Sequence, residues 1–295
     1  MERSRQEESA SGLEIHLLAA HLLTKLMRMK IVSSLLLAAA LFIPLTATSS
    51  AQDWAKARLN ASPRHHEFVK LHHGNRTLQA FVVYPEVSHK ATVVVLIHEI
   101  FGLSDWAREM ADEIAAKGFI VVAPDLLSGF GPKGGGSDEF ADRDSVMKAV
   151  SGLDPAVVLA DLDAAADYGK HLPAANGKLA VAGFCWGGGK SFAFATHRND
   201  LSAAFVFYGP PPQEFNTITA PVYGFYGGND ARIGATIPDT VSGMKAAGKK
   251  YDPVTYEGAG HGFMRAGEDP TDKNPANKTA REQGFDRLVK LLNGM

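Results

Sequence analysis

The chain has one cysteine, Cys185, among 295 residues. A lone thiol excludes any intramolecular disulfide, and it excludes the cysteine-rich zinc motifs that need several thiolates at fixed spacing. A basic stripe is also missing: 30 Lys and Arg stand against 32 Asp and Glu, for a formal net charge of −2. Nucleic-acid binding needs concentrated positive charge, so that class of partner is not expected. No apolar run reaches the roughly 20 residues that a bilayer-spanning helix requires. The longest, residues 31–45, is shorter and carries Pro44 near its end. The histidine pairs His65-His66 and His72-His73 lack helical spacing, so no metal site and no cofactor is expected.

What is present begins with a leader. Lys25, Arg28 and Lys30 precede the apolar run, and residues 46–51 that follow it are small, with Ser49 and Ala51 placed for a signal peptidase. A basic start, a short apolar segment and a small-residue site together read as a secretory signal. The rival reading is a membrane anchor, for which the run is short. The expectation is a secreted or periplasmic protein with no stable membrane span after cleavage. Met27 or Met29 would be the true start, and residues 1–51 fall outside the fold.

The rest is 45% hydrophobic and 21% charged over the whole chain, enough for one large core. Residues 52–65 read as an extended lead-in, because Pro63 argues against a helix. From residue 66 to 295 the chain alternates between strands and helices. Strands are expected at 67–71 and 77–84, joined by a turn at His73-Gly74-Asn75, and at 92–98, 119–123, 178–183, 203–208, 221–226 and 254–257. Helices are expected at 106–117, after Asp154-Pro155, and at 187–197, 238–247 and 276–292. Residues 128–138, rich in Gly and Pro, read as a surface excursion. Alternation of this kind implies an α/β fold, a mostly parallel sheet covered on both faces, with reactive groups at the carboxyl ends of strands.

Gly183-Phe184-Cys185-Trp186-Gly187 sits directly between a strand and a helix. A nucleophile on a tight turn between glycines is the elbow of an α/β-hydrolase, and the Trp186 amide then faces the reacting carbonyl. The bland reading is an inert buried thiol. The fold's order of nucleophile, acid, histidine selects His261, in the loop Gly258-Ala259-Gly260-His261-Gly262, as the base. Asp230, past the strand at 221–226, is its carboxylate partner, with Asp239 and Asp252 as rivals less well placed; an Asp capping a turn is the plain alternative. His98-Glu99-Ile100-Phe101-Gly102 ends the most apolar strand, so the Ile100 amide is the second oxyanion donor. Glu99 is a carboxylate at a place where it must be paired or protonated. It either handles the cysteine proton or faces solvent.

HEIFG, APDLL, GFCWGG, GGND and GHGFMR, in that order over residues 66–295, resemble the dienelactone hydrolase (carboxymethylenebutenolidase) family. The resemblance implies an α/β-hydrolase fold, a Cys185–Asp230–His261 triad, and Glu99 as the carboxylate paired with the resting thiol until substrate displaces it. It also implies that Arg265 binds a substrate carboxylate. The second arginine that studied members carry after this proline–aspartate–leucine is absent: Leu127-Ser128-Gly129-Phe130 stand there.

The expected activity is therefore hydrolysis of a small-molecule ester or lactone, one able to bear a carboxylate, through a thioester on Cys185. The expected state is a monomer or small homo-oligomer. Two other classes remain open at this point. One is a thiol-based redox sensor, disfavoured because no resolving cysteine exists. The other is a non-catalytic ligand-binding protein on a hydrolase scaffold.

Overall fold

The computed structural model describes residues 52–295. The expected signal and the start at Met27 or Met29 lie outside the described residues. Eight strands form one sheet: β1 (His66–His73), β2 (Arg76–Val83), β3 (Ala91–Ile97), β4 (Ile120–Pro124), β5 (Ala175–Phe184), β6 (Ala203–Phe207), β7 (Val222–Gly227) and β8 (Tyr251–Tyr256). Their spatial order is β1-β2-β4-β3-β5-β6-β7-β8. Only the pairings of β2, with β1 and with β4, are antiparallel. The β1–β2 hairpin reverses the chain, while helices carry the crossovers from β3 to β4, β4 to β5, β5 to β6 and β7 to β8.

β3 explains why its sequence shows no polar alternation. All seven of its residues are buried. Val94 and Leu96 face a core shared with Trp106 and Met110, while Val93, Val95 and Ile97 face the opposite core with Val158 and Leu162. A strand covered on both sides reads as continuous Val, Leu and Ile. Each such side chain, fully buried, contributes about 1.5–3 kcal/mol relative to exposure.

The helices are α1 (Asp53–Asn60), α2 (Asp105–Ala115), α3 (Arg143–Ser151), α4 (Pro155–His171), α5 (Trp186–His197), α6 (Ala231–Gly234), α7 (Ile237–Ala246), α8 (Phe263–Ala266) and α9 (Pro275–Asn293). Ser104 starts α2 by accepting a hydrogen bond from the Ala107 amide, as a helix cap should. α3 has no counterpart in the sequence reading. Asp142 caps it through the Ser145 amide at 2.8 Å, and it buries only Val146 and Val150. Two apolar positions are too weak a periodic signal to stand out in sequence.

The extended lead-in expected at 52–65 is a correction: residues 53–60 form α1. Pro63 lies beyond the end of that helix and so never opposes it. Ala55 and Leu59, one turn apart, are buried in the core with α2. The following residues are tied down as well, since Ser62 donates to Asp112 at 2.6 Å and Arg64 pairs with the same carboxylate. Among the described residues no helix is long and apolar enough to cross a membrane.

Candidate active site

The turn between β5 and α5 is built by steric necessity. Cys185 has φ 56° and ψ −116°, a conformation side chains avoid unless the surroundings enforce it. A Cβ on Gly183 would lie 1.9 Å from the Gly187 carbonyl oxygen, and one on Gly187 would lie 2.3 Å from the His98 oxygen. Both neighbours are backbone and neither can yield, so the two glycines that flank the thiol are required for the chain to turn there. The Cys185 amide is held by the Phe207 carbonyl at 3.0 Å, which locks the elbow to β6.

The loop after β8 brings His261 to this corner. Its neighbour Gly260 donates to Asn277 of α9 at 2.8 Å, and Asn229 beside Asp230 donates to the Ala259 carbonyl at 2.9 Å. His261 Nε2 lies 3.1 Å from the Cys185 sulfur, and His261 Nδ1 lies 2.5 Å from Asp230 Oδ2. A carboxylate can only accept, so Nδ1 holds the proton and the Nε2 lone pair faces the sulfur. Asp230 is buried and also caps α6 through the Ile233 amide at 3.3 Å, so the turn-capping alternative and the histidine contact are both real. Asp239 and Asp252 make no contact with His261; Asp252 pairs with Arg287.

The amides of Trp186 and Ile100 reach the same sulfur and pull its pKa down, but they are outweighed. Burial, and after it the charge of Glu99, push the Cys185 thiol up to about 11. At neutral pH the sulfur is therefore protonated, whatever the helix end contributes.

Glu99 is where the resemblance and the structure part. Its carboxylate accepts from Arg265 Nε at 2.8 Å and from the Tyr208 hydroxyl at 3.2 Å. Cys185 is bonded to His261 and not to Glu99. Arg265, expected as a substrate ligand, thus spends one donor on Glu99, and its guanidinium carbon lies 5.2 Å from the centre of the Phe101 ring. Its terminal amino groups make no hydrogen bond among the described residues.

Two neighbours escaped the sequence reading. Tyr208 follows β6 with φ 39°, is fully buried, and meets His261 edge-on with ring centres 5.1 Å apart. Its position just past a strand's carboxyl end is the signal that could have found it. Arg143, the first residue of α3, places its guanidinium carbon 3.9 Å from the centre of the Phe101 ring, and it has no acidic partner among the described residues. The excursion after β4 lacks an arginine, yet the next helix supplies one against the Phe101 ring that Arg265 also meets.

Among the described residues, the carboxylates able to surround one cation are Glu109, Glu113 and Glu268, whose oxygens lie within 4.8 Å of one another. Arg58 and Arg281 already pair with them. None belongs to the Cys185 corner.

Residues 78–295 match the family model for the dienelactone hydrolase family. A Salmonella typhimurium protein, provisionally named a carboxymethylenebutenolidase, is 31% identical over 229 residues, covering 72% of this chain and 81% of that one. The carboxymethylenebutenolidase of Pseudomonas putida is 29% identical over 207 residues, 68% of this chain and 86% of its own. A Klebsiella pneumoniae structure provisionally named a dienelactone hydrolase shares the fold, with a TM-score of 0.68 at 24% identity over 79% of this chain and 99% of that one. Sheet order, elbow and matched span agree: this chain is a member of the dienelactone hydrolase family, a carboxymethylenebutenolidase-like hydrolase on the α/β-hydrolase fold.

Proposed function

We propose that the chain cleaves esters or lactones with Cys185 as nucleophile, through a thioester. The observation that supports this is the continuous line from Cys185 sulfur to His261 to Asp230, at 3.1 and 2.5 Å. Because the thiol is protonated at neutral pH, the first event moves its proton to His261 Nε2 while the sulfur attacks the carbonyl carbon. Asp230 stabilises the resulting imidazolium. The oxyanion is received by the Trp186 and Ile100 amides. His261 returns the proton to the leaving oxygen, which departs as an alcohol or, from a lactone, stays attached to the acyl chain. Water, deprotonated by the same imidazole, then opens the thioester, releasing a carboxylic acid and regenerating the thiol.

Arg265 and Glu99 give this chemistry a way to sense its substrate. A substrate carboxylate drawn to Arg265 competes with Glu99 for one guanidinium, and Glu99 is a charge that holds the thiol up. The sensor reading fares less well, because peroxidatic sulfurs are thiolates of low pKa and this one is shifted the other way.

The test is hydrolysis of p-nitrophenyl acetate and of a small lactone by wild type, Cys185→Ser and His261→Ala. Loss of turnover by 10³-fold or more, on the order expected for a removed nucleophile or base, is expected in both variants. Ester turnover that survives Cys185→Ser defeats the proposal. Peroxide consumption without ester turnover would favour the sensor.

A further inference from the structure

His98 is buried completely and makes no hydrogen bond to Cys185, Asp230 or His261. Its Nδ1 lies 2.7 Å from the Glu99 carbonyl oxygen, while its Nε2 is buried with no partner. A carbonyl only accepts, so Nδ1 is the donor. Burial then opposes a second proton, and the ring is held in its neutral form against the pull of the Asp125 charge. That leaves the Nε2 lone pair as the orphan. A buried histidine with one nitrogen unpaired among the described residues is costly, which raises the question of what the other nitrogen achieves.

The Glu99 carbonyl and the Ile100 amide belong to one peptide plane, and in a trans peptide the C=O and N–H point in opposite directions. A donor that grips the carbonyl from behind therefore fixes the direction of the N–H in front. It also polarises that N–H, because hydrogen bonds in a chain strengthen one another. The same imidazole lies flat against Trp186, with ring centres 5.7 Å apart and planes 10° apart. Trp186 supplies the other amide at the sulfur. One ring thus grips the peptide that carries one donor and stacks on the side chain of the residue that carries the other.

We propose that His98 is a positioning residue for the oxyanion hole: its Nδ1–H holds the Glu99–Ile100 peptide with the Ile100 amide turned on the reacting oxygen, and its face seats Trp186. This rests on the reading of Ile100 and Trp186 as oxyanion donors. The ring touches no substrate atom. Its effect belongs in kcat, since the interaction it aims grows as charge develops on the oxygen.

His98→Phe keeps a flat ring against Trp186 and removes the donor. His98→Asn places a side-chain N–H near the position of Nδ1. The Phe variant is expected to lose about 10²-fold in kcat with KM nearly unchanged, the scale of one lost oxyanion donor, and the Asn variant to recover most of it. A second readout needs no turnover. The Ile100 amide also stabilises the thiolate, so Cys185 in the Phe variant should be alkylated by iodoacetamide several-fold more slowly at fixed pH, and at the wild-type rate in the Asn variant. Thermal melting checks that each variant is folded; if the Phe variant is not, His98→Leu against His98→Asn makes the same comparison in near-isosteric side chains. Equal losses in donor-bearing and donor-free variants, or an unchanged alkylation rate in the donor-free one, overturn the proposal. Absent ester turnover by the wild type, with the alkylation difference intact, would instead count against the hydrolase reading and leave the role of His98 supported.

Discussion

Phe101 holds two guanidinium groups against its ring, Arg143 at 3.9 Å and Arg265 at 5.2 Å from the ring centre. Cations on an aromatic face keep their in-plane N–H groups available, so the pair can offer a forked surface to an anion. Arg143 is exposed and unpaired among the described residues, which makes it the cleaner of the two to test, because removing Arg265 also strands Glu99. Arg143→Ala is expected to raise KM about tenfold, equivalent to ~1.4 kcal/mol, for an ester bearing a carboxylate, and to leave a neutral ester of the same size unchanged. Steady-state kinetics on the matched pair decides it, and equal effects on both esters would remove Arg143 from recognition. Arg143 was not legible in the sequence, because it reaches Phe101 from a helix that begins more than 40 residues later. Cys185, Asp230 and His261 were legible because each follows a strand, and strand ends converge in a parallel sheet whatever the details of packing.

Four elements meet where Glu109 and Glu113 of α2, Arg58 of α1, Glu268 after α8, and Arg281 of α9 come together. Glu268 takes Arg58 at 2.9 Å and Arg281 at 2.8 Å, while one oxygen of Glu109 is buried without a partner. Burial first, then the charges of Glu268 and Glu113, push Glu109 up from its ordinary 4.5 to about 10. A carboxyl that binds its proton more tightly folded than unfolded favours the fold at low pH. That contribution is whole below about 4.5 and is lost as pH climbs toward about 10. Glu109→Gln keeps the neutral form at every pH, so its melting temperature should decline less steeply than that of the wild type between pH 5 and 9. Melting curves recorded across that window check it, and parallel slopes would show that Glu109 is already ionised. Nothing in the sequence announces this junction, since its members are scattered from residue 58 to residue 281. The same holds for α1, where one proline outweighed a buried pair one turn apart; a breaker limits only the helix that would contain it.

At the scale of the whole molecule the alternation of strands and helices made a mostly parallel sheet readable, whereas the spatial order β1-β2-β4-β3-β5-β6-β7-β8 was not read from the sequence. We propose that the chain is exported and that residues 1–51 are removed, on the strength of the basic, apolar and small-residue sequence that precedes α1. Mass spectrometry of the protein purified from its native source should place the mature N-terminus near Gln52, and an intact leader on the purified protein would refute it. The Asn277 sequon would not be used on such a route in the folded protein, because that side chain is buried and bonded to Gly260 and Asp272.

Oxidants and stray electrophiles attack sulfur in its anionic form, and the shift of Cys185 to about 11 keeps that form scarce at neutral pH. In the proposed chemistry the corner between β5 and α5 then stores its reactivity as a bound proton, spent only when a carbonyl arrives beside the imidazole. On the proposed reading, dormancy is a property of where the one sulfur was placed.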